Sequence, residues 1–176
     1  RAARSGWPSD SAGIIPGVVV QDVVIRRAAG DDAQWAAGLM ASSDPWVTLG
    51  RGFGACLAAC TSPLDVLEIA EAGGERCGLV LVRPAGVAGA PYIVSIAVAA
   101  AFRSRGIGAA LLDHVERAYA GRSRHLFLCV SSFNPRARRF YERRGFEAVG
   151  TLRAFLIDTA DEILMQKRLA SAGRPG

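Results

Sequence analysis

The segment Arg103-Ser104-Arg105-Gly106-Ile107-Gly108 constrains this chain more than any other, because an apolar strand-like run ends just before it and an amphipathic helix begins within it. Upstream, Tyr92-Ile93-Val94-Ser95-Ile96-Ala97-Val98 is short, rich in β-branched residues and bounded by Pro91, which predicts a mostly buried strand. Downstream, Ala109, Leu112, Val115 and Tyr119, joined by Leu111 and Ala118, recur at helical spacing until Gly121 stops the run. A strand feeding a helix in this way points to an α/β or α+β domain. The junction also suits an anion. The first turn of a helix leaves its N–H groups unpaired, and the macrodipole adds roughly half a positive charge there. Gly106 and Gly108 admit a ligand close to the backbone, and Arg103 and Arg105 add full charges.

Arg-x-x-Gly-x-Gly is neither the dinucleotide fingerprint, which needs a third glycine and a later acidic residue, nor a Walker loop, which needs Gly-Lys-Ser/Thr. By itself it also fits an ordinary strand-to-helix turn. A second motif narrows the choice. Asn134 to Phe146 reads as a short helix with both ends signed: Asn134 as N-cap, Pro135 in the first helical position, and Gly145 closing the helix after two arginines. Tyr141 follows Asn134 by two helical turns on roughly the same face.

The two motifs, in this order and spacing, resemble the GNAT superfamily of acyl-CoA-dependent N-acetyltransferases, nearest in style to the ribosomal-protein N-terminal acetyltransferases. The resemblance spans about Val23 to Leu169. It implies an α/β (α+β) GNAT fold with helices on both faces of a mixed central sheet of about seven strands. Their order would be strand, two helices, three strands, helix, strand, helix, two strands. It implies acetyl-CoA as co-substrate, held by Ala97, Val98, Arg103, Ser104, Arg105, Gly106, Ile107, Gly108, Asn134 and Tyr141. Backbone N–H groups near Val98 would polarise the thioester carbonyl, and Tyr141 would protonate the departing thiolate. A purely structural Tyr141, packed beside Phe140 and Phe146, is the alternative.

Coarse patterning agrees with that order. Val18 to Arg27 reads as a strand, Asp31 to Ala41 and Arg51 to Ala59 as helices, and Leu64 to Ala72 with Arg76 to Val82 as a hairpin about Gly73-Gly74. Pro84 to Pro91 reads as a flexible loop, Leu126 to Val130 as a buried strand, and Ala148 to Leu156 with Ile163 to Leu169 as the last pair. Residues 1–17 and 171–176 read as flexible tails around one domain over 18–170.

Composition narrows the function classes. No run reaches the ~20 apolar residues of a membrane span, so no membrane partner is expected. The four cysteines, Cys56, Cys60, Cys77 and Cys129, lack a CxxC pair, and His114 and His125 stand in no chelating pattern, so no metal site is expected. Core-type cysteines suit a reducing cytoplasm. The net charge of +5 rests on arginine almost alone, with Lys167 the single lysine. It suits a phosphate-rich coenzyme and, less well, nucleic acid, since no basic stripe with interleaved aromatics is present. The rival readings are a catalytically silent acyl-CoA-binding module and an arginine-rich nucleic-acid binder. A homodimer is compatible with either enzyme or module.

The general base is where the sequence departs from the family. Tyr92 and Cys129 occupy positions where family members can carry glutamate. Glu68, inside an apolar strand, and Asp158, in the last hairpin turn, are the acids that could reach a cleft. Cys129 as an acyl-accepting nucleophile lacks a paired histidine. Without a base, an α-amine or other weakly basic amine is favoured. A lysine amine is only about 0.1% neutral near pH 7.4, whereas an α-amine is about a fifth neutral. The substrate pocket is expected from Trp35, Ser42 to Gly50 with Trp46, Tyr92, Pro84 to Pro91, and Phe155 to Asp158.

Overall fold

Gly73 and Gly74 sit at φ 60° and 82°, a left-handed pair that closes a two-residue hairpin between β2 (Val66–Ala72) and β3 (Glu75–Arg83). This hairpin lies on the β1 side of the sheet in the computed structural model, which describes residues 23–170. The expected tails, and residues 18–22 of the first expected strand, lie outside the described residues.

The chain runs β1 (Val23–Arg27), α1 (Asp32–Ala41), α2 (Phe53–Cys60), β2, β3, β4 (Tyr92–Val98), α3 (Ile107–Tyr119), β5 (His125–Ser131), α4 (Pro135–Arg143), β6 (Glu147–Ile157) and β7 (Ala160–Arg168). The seven strands form one mixed sheet in the order β1-β2-β3-β4-β5-β7-β6. The observed element order is the one that the resemblance implied. The 84–91 segment is more ordered than a plain loop: a 3-10 turn spans Val87–Gly89, and the N–H of Gly86 donates to the carbonyl of Ala90 at 2.8 Å.

Two apolar layers flank the sheet. On one face Ile107, Leu111, Leu112 and Val115 of α3 and Tyr141 of α4 pack with Val80, Ile93, Leu126, Leu128 and Met165. On the other, Ala36, Ala37 and Met40 of α1 and Cys56 and Cys60 of α2 pack with Leu67, Ile69, Leu79, Leu81 and Ala97. Each fully buried leucine here contributes about 1.5–3 kcal/mol relative to exposure. The second layer contains no residue of β5, β6 or β7, so the sheet face on that half is left uncovered by α1 and α2.

An ion network fastens α1 to the sheet. Arg26 bonds Asp32 at 2.5 Å and Glu71 at 2.6 Å, and Arg76 reaches Asp31 at 2.9 Å and Asp32 at 3.3 Å. Asp32 is 2% exposed and also accepts the N–H of Ala29 at 2.8 Å, so it ties the helix start to two arginines. Its carboxyl falls to about 2, chiefly because the Arg26 guanidinium hydrogen-bonds its ionised form.

Candidate active site

The sheet splits where β4 meets β5. The two strands pair in parallel only at Tyr92↔Phe127 and Ile93↔Leu128. Just beyond, the ladder between β3 and β4 jumps from Val82↔Ile93 to Leu81↔Ser95, leaving Val94 as an extra residue in β4. A bulge bends and twists its strand, and here β4 turns away from β5. Ala99 donates to Cys77 at 2.9 Å across the β3 side, so by strand alternation the N–H and C=O of Val98 face the β5 side. The Val98 carbonyl accepts a hydrogen bond from Arg103 Nε at 3.2 Å.

A cleft of about 980 Å³ fills the opening. At one end stands the start of α3. Gly106 is its N-cap with φ 82°, no side chain caps the helix, and the ladder begins only with Ala110 donating to Gly106 at 3.0 Å. The N–H groups of the first turn therefore remain open to an anion. Ser104 also holds a positive φ of 64°, a conformation that costs a non-glycine residue energy.

Across the cleft, α4 begins as the sequence predicts. Asn134 Oδ1 accepts the N–H of Ala137 at 3.1 Å, Pro135 opens the helix, and Gly145 takes φ 84° at its end. Tyr141 is 8% exposed and packs against Phe140 and Phe146 with ring centroids 5.4 and 5.9 Å away. Its hydroxyl makes no hydrogen bond among the described residues. Arg144 Nε is the one fully enclosed side-chain polar atom there without a partner, so the Tyr141 hydroxyl keeps an opening to the cleft. Burial raises the phenol's pKa and holds it protonated.

Of the residues singled out from the sequence, Trp46, Tyr92, Ala97, Val98, Arg103, Ser104, Gly106, Ile107, Gly108, Asn134 and Tyr141 all line this one cleft. Trp46 walls the cleft as expected and also packs into the α1/α2 core. Others fall elsewhere. Arg105 is exposed beside the loop, with its guanidinium 5.4 Å from the Phe102 ring. Asp158 is exposed in the two-residue turn after Ile157, because a tight hairpin turn projects its residues into solvent; the hairpin instead lends Phe155, Leu156 and Glu162 to the cleft. Trp35 packs under Arg76, 5.4 Å from its guanidinium, among the residues of the ion network. Residues 84–91 do not line the cleft. Glu68 pairs with His114 Nε2 at 3.1 Å on the α3 face, on the far side of the sheet.

Glu162 is the residue that sequence reasoning missed. It lies 4% exposed on β7, opposite Ser131 of β5, whose hydroxyl donates to its carboxylate. Burial raises its pKa, while the Ser131 bond and the nearby Arg51 cation oppose the rise. The signal available is an Asp161-Glu162 pair at the start of an apolar run, where the apolar residues themselves begin only at Ile163. With Glu162 lining the cleft, a substrate preference no longer follows from a missing base. Tyr92 and Cys129 stand beside one another, and burial pushes the pKa of both groups up.

All four cysteines are free thiols, and among the described residues no His/Cys/Asp/Glu group is arranged to hold a metal. Among the same residues, no helix is long and apolar enough to cross a membrane.

Known proteins resemble this chain in sequence or in fold. The chain is 37% identical over 86 residues to the uncharacterized N-acetyltransferase MJ1530 of Methanocaldococcus jannaschii, covering 48% of this chain and 55% of that protein. It thus spans about half the length of the curated relative that it matches. A GNAT-family protein from Desulfovibrio desulfuricans superposes with a TM-score of 0.72 at 25% identity, covering 84% of this chain and 99% of the other. A GNAT-family acetyltransferase from Elizabethkingia anophelis, solved with acetyl-CoA bound, superposes with a TM-score of 0.67 at 22% identity, covering 84% and 99%. The sequence model of the Acetyltransferase (GNAT) family matches residues 35–146, well over half of the chain, and the split sheet and open helix start lie within that match: the chain belongs to the GNAT acetyltransferase family.

Proposed function

We propose that this chain transfers an acetyl group from acetyl-CoA to a primary amine by direct attack in a ternary complex. The observation that carries the reading is the parted β4/β5 seam, which ends on the uncapped amides of α3. An extended pantetheine arm can pair with the free edge of β4, as a strand would, while the pyrophosphate rests on the helix start. The neighbour from Elizabethkingia anophelis binds acetyl-CoA on the same fold, which supports the placement.

In this reading Ala97, Val98 and Arg103 to Gly108 hold the coenzyme. The Val98 N–H faces the opened seam and donates to the thioester oxygen as charge develops there. Asn134 spends its carbonyl oxygen on the helix cap, which leaves its amide N–H groups for the pantetheine. Tyr141 stands across the cleft and protonates the leaving sulfur. The free cysteines suit a reducing cytoplasm, with a small-molecule amine or a peptide α-amine as acceptor.

Calorimetry with acetyl-CoA at fixed salt tests the site. The wild type binds, and an Arg103→Ala, Arg105→Ala double variant binds at least tenfold more weakly, since charged contacts to phosphate contribute about 1.5–3 kcal/mol each. Failure of the wild type to bind refutes the reading. Binding without thiol release from any amine marks a silent module.

A further inference from the structure

The face of β5 and β7 left uncovered by α1 and α2 carries a buried carboxylate with no structural duty. Among the described residues Glu162 is held by Ser131 alone and belongs to none of the ion pairs. A hydrophobic residue of similar size would be cheaper to bury in a strand, so a carboxylate with one hydrogen bond is an expense that stability does not explain. Among the described residues only Oε1 is engaged: Oε2 makes no hydrogen bond there and is not one of the fully enclosed polar atoms without partners, so it opens to the cleft that Glu162 lines.

We propose that Glu162 binds the acceptor's ammonium group and takes its proton, with Ser131 as the residue that positions the carboxylate. The proposal rests on the acetyltransferase reading. Glu162 accepts one proton from R–NH3+, leaving R–NH2. The nitrogen lone pair attacks the thioester carbonyl carbon, forming C–N. The C–S bond then breaks, sulfur takes the Tyr141 proton, and Tyr141 recovers the proton that the nitrogen sheds on becoming an amide. Glu162 returns its own proton to solvent. The charged and titratable groups facing it are Arg51, from the α1–α2 link, and Tyr92 and Cys129, from β4 and β5. Burial moves the Glu162 carboxyl toward neutrality, which strengthens it as a base.

Thiol release is measured at saturating acetyl-CoA with alanine amide, Nα-acetyl-lysine amide and spermidine as probes, from about pH 6 to 10. E162Q should leave acetyl-CoA affinity intact and lower kcat/KM about a hundredfold near pH 7. The deficit should shrink as pH approaches the probe amine's own pKa, because a neutral amine needs no proton acceptor. S131A keeps the carboxylate but loses a hydrogen bond to its ionised form, so the acidic limb of its kcat/KM profile should move to higher pH. A loss under about threefold in E162Q, or one equal at every pH, overturns the proposal. Should E162Q not fold, an unmoved limb in S131A overturns it. A wild type that binds acetyl-CoA and acetylates no probe refutes the enzyme reading, and this proposal with it.

Discussion

Ser131 and Glu162 stand directly opposite one another on β5 and β7, and the serine hydroxyl donates to the glutamate carboxylate on the uncovered face of the sheet. The pair is 31 residues apart in sequence and exists only because β7 inserts between β5 and β6. That insertion sets an acid beside the end of β5, the strand from which Asn134 and Tyr141 are launched.

The Tyr141 hydroxyl makes no hydrogen bond among the described residues, so removing it should leave the fold intact. Tyr141→Phe keeps the ring contacts with Phe140 and Phe146. Its unfolding free energy should match wild type within about 0.5 kcal/mol, while kcat falls about a hundredfold. A kcat within threefold of wild type would leave Tyr141 a packing residue.

Asp32 predicts a pH-dependent stability. Its folded pKa of about 2 lies below the ordinary aspartate value of 3.8, so its contribution is fully present above about pH 4 and is lost as pH falls through 2. Asp32→Asn should therefore destabilise by about 1–3 kcal/mol at pH 7, with variant and wild type converging near pH 2. Urea unfolding at several pH values checks this, and a constant difference would deny Asp32 the linkage.

Gly78 marks a close approach between sheet and helix. A Cβ at this position would lie 3.0 Å from the Ala97 carbonyl oxygen and 3.2 Å from both Ile107 and Leu111. The backbone atom cannot yield easily. Gly78→Ala should cost about 1–3 kcal/mol in thermal unfolding and, by tilting α3, weaken acetyl-CoA binding. An equally stable variant would show that α3 shifts freely on β3.

The local signals were legible because their physics is local. Asn134, Pro135 and Gly145 mark the ends of α4 through bonds and backbone angles within a few residues. The same holds for Gly73-Gly74 and for the junction at Gly106. Element ends are less legible where neighbours decide them. The last strand begins at Ala160 rather than at Ile163, because its pairing with β5 extends to Glu162 and its pairing with β6 to Ala160. Those three residues place Glu162 on a strand, not in a turn. Glu68 and Asp158 look equally suited in sequence, since a strand acid and a turn acid look alike there whether they face a cleft, a histidine or solvent.

By itself the sequence determined the element order, the helix caps, the left-handed turns and the basic, glycine-rich start of α3, all of which follow from residue type and short-range spacing. The tertiary structure alone decided that β4 and β5 part after Ile93, that α1 and α2 leave half of one sheet face open, and that Ser131 and Glu162 meet there. Those outcomes depend on pairing between strands distant in the chain, where register and packing against other elements, not intrinsic preference, set which side chain meets which.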